Sequence, residues 1–143
     1  MEDPIVEIAI MVHSRHWRLS GDEGIGDQLA KTITEEWQKC VREIDPTRFQ
    51  LEVQISNELI ERVDLIDVFL GVVYELEASP NNPHHEFFRG IFKVVVLKRS
   101  DQNISKFVFL APQTAIDNLN NSLAGQILND TDRFGFKTEL VGL

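Results

Sequence analysis

The apolar positions of this chain change period several times, and each change marks an element. Residues 4–12, PIVEIAIMV, are apolar and β-branched almost throughout, which predicts a largely buried strand. Over residues 24–44 the period shifts to three and four. Ile25, Leu29, Ile33, Trp37, Cys40, Val41 and Ile44 fall on one stripe of a long helix. Ser20 and Glu23 have capping-box spacing just upstream, and Asp45-Pro46 marks the end. Residues 49–55, FQLEVQI, alternate strictly, with Phe49, Leu51, Val53 and Ile55 on one face of a half-buried strand. Residues 62–69 and 72–78 read as an antiparallel hairpin turning at Leu70-Gly71.

Asn82-Pro83 has the chemistry of a helix start, and a helix is expected from there to about Val95. Val94-Val95-Val96 would suit a strand equally. Residues 106–111 read as a strand, 113–129 as a helix bearing Ile116, Leu119, Leu123 and Ile127, and 136–142 as a last strand. The expected order is β-α-β-β-β-α-β-α-β. That pattern implies an α/β fold with a mixed central sheet flanked by helices.

With 143 residues, the chain is expected to be a single domain, residues 1–143, with one core. No apolar run approaches the roughly 18 residues that span a bilayer. The first residues lack a basic segment followed by an apolar core, so no secretory signal is expected. Cys40 is the only cysteine, which excludes an internal disulfide and suits a cytoplasmic setting. The net charge of −9 argues against a generally basic nucleic-acid-binding surface. Local basic stretches exist at His13–Arg18 and from Arg89 to Lys106.

The candidate chemistry lies in residues 62–79, RVDLIDVFLGVVYELEAS. Glu75 and Glu77 are two apart on a strand, so both side chains leave one face. Like carboxylates so placed repel unless a positive group lies between them, and a divalent cation is the usual answer. With an even number of loop residues, such as Leu70-Gly71 alone, Asp64 joins that face opposite Glu77. With an odd number, Asp67 takes its place. The compact turn favours Asp64, and the alternative stays open at this point. The competing interpretation of the glutamates is a solvated edge face, which the apolar neighbours Leu65, Ile66, Val72 and Val73 oppose.

This segment, in its setting of helix, three strands, helix and strand over residues 24–111, resembles the PD-(D/E)XK nuclease superfamily, which includes many restriction endonucleases. Asp64 matches the aspartate of the family's second strand, Glu75 the acidic position of the third, and Glu77 the position usually held by lysine. The resemblance implies a restriction endonuclease-like fold and Mg²⁺- or Mn²⁺-dependent cleavage of DNA. It further implies Asp64 and Glu75 as metal ligands, Asp64, Glu75 and Glu77 as catalytic groups, and a homodimer. No proline directly precedes Asp64. With glutamate at the lysine position, Lys93 or Arg89 on the next helix is the candidate positive group, and both are candidates for nucleic-acid contact. A second function class fits the acidic charge and the missing lysine: the same fold without activity, serving as a binding or assembly module.

Other groups are less specific. Glu36, and less so Glu35, could reach the sheet from the first helix and offer a further ligand, although surface charge explains them. His84-His85-Glu86 opens a helix and could contact phosphate or metal, although polar residues at a helix start explain it equally well. His13 and His16 lack further ligands at zinc spacing. Cys40, Phe87, Phe88 and Phe92 suit packing.

Overall fold

A computed structural model describes residues 3–21, 24–79, 81–101 and 103–143. Helix α1 (Pro4–Ser20) and helix α2 (Asp27–Ile44) precede a meander of β1 (Phe49–Gln54), β2 (Arg62–Asp67) and β3 (Val72–Leu76). Helix α3 (Pro83–Ser100) leads to β4 (Lys106–Ala111). Helices α4 (Gln113–Asn120) and α5 (Leu123–Asp130) then lead to β5 (Lys137–Gly142). The five strands form one mixed sheet in the order β1-β2-β3-β4-β5. The first three are antiparallel, and β3, β4 and β5 run parallel. The fold is therefore α/β, as the pattern implied.

The first expected strand is a helix. Asp3 caps α1 by accepting from the Ile5 N–H at 2.9 Å, and Pro4 occupies the first turn, where its missing N–H costs nothing. Ile5, Ala9, Val12 and His13 are the buried positions, a helical spacing that the continuous apolar run conceals. Tyr74 of β3 donates to the other Asp3 oxygen at 2.7 Å, and the Trp37 indole donates to the Ile5 carbonyl at 3.0 Å. These bonds fix α1 against α2 and the sheet. The proposed Ser20/Glu23 capping box involves Glu23, which lies outside the described residues. Gly26 stands at the N-cap of α2 instead.

Two hydrophobic clusters cover the two faces of the sheet. One joins α1 and α2 to Phe49, Leu65, Tyr74, Leu76, Val108 and Leu110. The other joins α3 and α4 to Ile66, Val73, Phe107 and Phe109. The alternation of β1 is split between them. Phe49 and Leu51 pack with the first cluster, Val53 and Ile55 with the second. Between the halves, Glu52 takes a left-handed backbone, φ 50°. For a residue with a Cβ this costs about 1–3 kcal/mol. The Gln38 amide holds it, donating to Glu52 Oε1 at 2.9 Å.

Helix α3 runs through the valine triplet to Ser100, because Phe87, Val94 and Leu97 form one buried stripe that outweighs β-branched preference. Gly90 lets the helix approach closely: a Cβ there would come within 2.6 Å of the Phe107 ring. The single helix expected over 113–129 is broken at Asn121-Ser122, where Ser122 Oγ donates back to the Leu119 carbonyl. The Leu123 side chain lies outside the described residues.

The hairpin turn spans Val68 to Gly71, two residues longer than the compact turn, with Asp67 opposite Val72. Gly71 sits at φ +69°, and a Cβ on it would collide with the Asn103 carbonyl. Gly71→Ala is expected to lower unfolding stability by about 2–4 kcal/mol through backbone strain and overpacking. Urea denaturation checks this; a midpoint equal to wild type would show that the turn relaxes without cost.

Candidate functional site

The longer turn keeps the even parity, so Asp64 and Glu75 leave the same face of the sheet. The printed pairs Leu65–Tyr74 and Ile66–Val73, continued by one step, set Asp64 beside Glu75 rather than opposite Glu77. Hydrogen bonds lock them there. The Asp64 N–H donates to Glu75 Oε2 at 3.2 Å, and the Leu76 N–H donates to Asp64 Oδ2 at 2.8 Å. The Lys93 ammonium from α3 donates to Glu75 Oε1 at 2.7 Å. Both members of that ion pair are largely buried, with 12% and 9% of their side chains exposed.

These groups line a cavity of about 200 Å³ together with Glu77, Glu86, Arg89 and Phe109. With Asp64 and Glu75 it holds four carboxyls against two cations, Arg89 and Lys93. Such crowding must be relieved by protons or by added positive charge. Burial, and then the charge and hydrogen bond of Glu75, hold the Asp64 carboxyl well above the usual carboxylate range. The Leu76 N–H and Lys93 pull it back only in part. Glu77 is pushed up to about 7, first by burial and then by the charge of Glu86, with the Ser79 N–H opposing.

No known protein family, curated protein or solved structure matches this chain. The meaning of the cavity therefore rests on its own residues. Among the described residues, no group of three or more His, Cys, Asp or Glu side chains is arranged to hold a metal ion. Asp64 and Glu75 converge, while Glu77 lines the same cavity without joining such a group.

Asp67 is on the opposite face and has a structural task. It is 1% exposed and takes two hydrogen bonds from the Arg48 guanidinium, at 3.0 and 2.8 Å. Glu36 is turned away from the sheet toward α1, where it meets Arg15 and His16. His84 reaches the Ser122 hydroxyl at 2.9 Å. Lys98, near the far end of α3, donates to the Ile104 carbonyl at 2.6 Å. Of the basic candidates, Lys93 and Arg89 reach the cavity.

Two contributors escaped the sequence. Gln38 of α2 is buried and donates to the Asp64 carbonyl at 2.8 Å as well as to Glu52, so it holds the strand that carries Asp64. Its only sequence signal is a polar residue next to Trp37 on the apolar stripe. Glu86 is a candidate for phosphate or metal contact at a helix start, but the sequence does not disclose its effect on Glu77, on which its charge falls.

The raised Glu77 has a measurable consequence. The folded chain holds its proton to about pH 7, against 4.5 for an ordinary glutamate, so folding takes up a proton between those values. The contribution from protonated Glu77 is complete below about 4.5 and is lost as pH rises through about 7. Asp64, raised for related reasons, adds to the same trend. In a chelator-containing buffer, Glu77→Gln is expected to flatten the decline of melting temperature from pH 5 to 8. Equal slopes for the two proteins would place Glu77 in open solvent.

Among the described residues, no helix is long and apolar enough to cross a membrane.

Proposed function

We propose that the chain is a metal-dependent nuclease with a restriction endonuclease-like fold, acting on DNA. One observation carries this reading: Asp64, Glu75 and Lys93 meet in one cavity, the first two from adjacent strands and the third from the following helix. The run α2-β1-β2-β3-α3-β4, with β4 parallel to β3, supports it as well. The lysine absent at position 77 is supplied from α3, where Lys93 brings its charge to the same carboxylate.

The donor set suits Mg²⁺ or Mn²⁺. Magnesium binds through one or two protein carboxylates and keeps several waters, so Asp64 and Glu75 suffice, and the surplus of carboxyls in the cavity favours a cation. A bound ion would lower the pKa of a water and neutralise a phosphate. Leu76 N–H orients the Asp64 carboxyl, and Gln38 holds the Asp64 backbone from the other side. Lys93 sits where it can stabilise charge on the phosphate or the attacking water. Glu77 stands ready to hold a proton near neutrality. Arg89, exposed at the cavity rim, is the group to meet the DNA backbone, and a homodimer would present two such sites to two strands.

A second reading draws on one feature. Lys93 already neutralises Glu75, and the chain carries a net charge of −9. Both suit a fold kept as a binding or assembly module without cleavage. Incubation with plasmid and single-stranded DNA in Mg²⁺ or Mn²⁺, beside calorimetric titration of the ion, separates the two. Neither cleavage nor ion binding by the wild type would leave the module.

A further inference from the structure

We propose that a second cavity, beyond the C-terminal ends of β4 and β5, binds a nucleoside 5′-phosphate. This cavity has a volume of about 610 Å³, within the range of small-molecule sites. It is lined by α1 on one side, through His13, Ser14, Trp17 and Arg18, and by the start of α4 on the other, through Gln113 and Thr114.

Three features point to the ligand. The first is an anion position. Helix α4 opens on Pro112, no side chain caps it, and its first backbone bonds use the Ala115 and Ile116 N–H groups. The Gln113 and Thr114 N–H groups are therefore left open at the positive end of the helix. Arg18 is exposed and lines the same cavity, and no lining side chain is acidic, in a chain of net charge −9, although Leu143 at the chain end lines it too. The second is a polar atom that lacks a partner. His13 is only 7% exposed, lines the cavity, and its Nε2 has no hydrogen-bond partner among the described residues. A buried imidazole nitrogen in that state is costly, and since Nε2 is itself enclosed, a ring heteroatom of a bound ligand would satisfy it once the ring turns toward the cavity. The third is a stacking surface. The Trp17 ring lies against His13, with centroids 6.1 Å apart and planes 20° apart, yet Trp17 remains 52% exposed. A planar base packs on such a ring. Phosphate at the α4 terminus and Arg18, with the base beside Trp17 and His13, accounts for all three.

Two sources offer this chemistry, a free mononucleotide and the 5′-phosphorylated end of a strand. The test titrates AMP, GMP, CMP and UMP, a 5′-phosphorylated oligonucleotide, and inorganic phosphate into the full chain. Trp17 emission and calorimetry report binding; the other tryptophan, Trp37, is fully buried. At least one mononucleotide or the phosphorylated strand is expected to quench Trp17 with a dissociation constant below about 1 mM. Phosphate alone should bind more weakly. Arg18→Gln, an exposed position, should weaken binding by about tenfold or more. His13→Phe should weaken it without loss of the folded circular dichroism spectrum. Glu75→Ala should leave it intact, which separates this site from the acidic cavity. The proposal fails if none of the probes binds, or if binding is indifferent to Arg18→Gln.

Discussion

Arg48→Leu is expected to lower the unfolding free energy by about 3–5 kcal/mol, because it strands a buried carboxylate. Asp67 is almost fully enclosed, and its oxygens are spent on Arg48 and on the N–H groups of Phe69 and Leu70, at 3.1 and 3.2 Å. Those two N–H groups cannot neutralise it. Arg48 also lies over the Phe49 and Phe69 rings, 5.0 and 5.8 Å from their centroids, which adds a smaller loss. In urea the midpoint should fall while the slope stays constant. In a thermal scan the loss corresponds to roughly 10 °C. The double variant Arg48→Leu/Asp67→Leu should recover most of the stability, since replacing both partners of a buried pair by apolar groups is often neutral. Asp67→Ala alone should cost less than Arg48→Leu, because the guanidinium left behind is one-third exposed and can reach water. A single loss of under 1 kcal/mol for Arg48→Leu would mean that Asp67 is hydrated.

The second large effect concerns cleavage. If the proposed nuclease activity is correct, Glu75→Ala and Asp64→Asn should each reduce the rate by about a hundredfold or more. Each removes a carboxylate placed to hold the ion. Lys93→Gln should cost about 10²–10³-fold, the usual effect of deleting one charge-stabilising donor. Its substrate affinity should change little, whereas Arg89→Gln should weaken DNA binding and lessen its dependence on salt. The contrast between these two cations tests the division of labour drawn from their surroundings. Lys93 is enclosed and paired with Glu75, while Arg89 is exposed at the rim. Retained cleavage in Lys93→Gln would return the role of the missing lysine to Arg89 or to Glu77.

The strands from Phe49 onward were legible because their signals were local. The β2–β3 hairpin has an apolar run on each side of a glycine turn, and the preferred even parity put Asp64 on the glutamate face. The sequence nonetheless left Asp67 open, and it set Asp64 opposite Glu77 rather than Glu75. The turn length was not legible: Val68, Phe69 and Leu70 are apolar enough to extend either strand, yet they are exposed in the loop that Asp67 ties down. Helix α1 was misread because PIVEIAIMV is apolar on every side. Ile10 and Met11 are exposed there, so no polar face disclosed the period. The decisive clue was Asp3-Pro4, a capping pair whose force depends on Tyr74, a partner 71 residues away. Lys93 was a candidate by type and by helix, but its choice over Arg89 required the distance to Glu75. Gln38 acts through a backbone carbonyl, which has no signature in sequence.

The kink at Glu52 also bears on association. Strand β1 is one border of the sheet, where unpaired backbone groups would ordinarily invite a strand from another molecule. A left-handed residue in its middle breaks the straight row that such an incoming strand would need. Edge-to-edge pairing along β1 is thereby disfavoured, which leaves β5, the other border of the sheet, as the edge more open to an incoming strand.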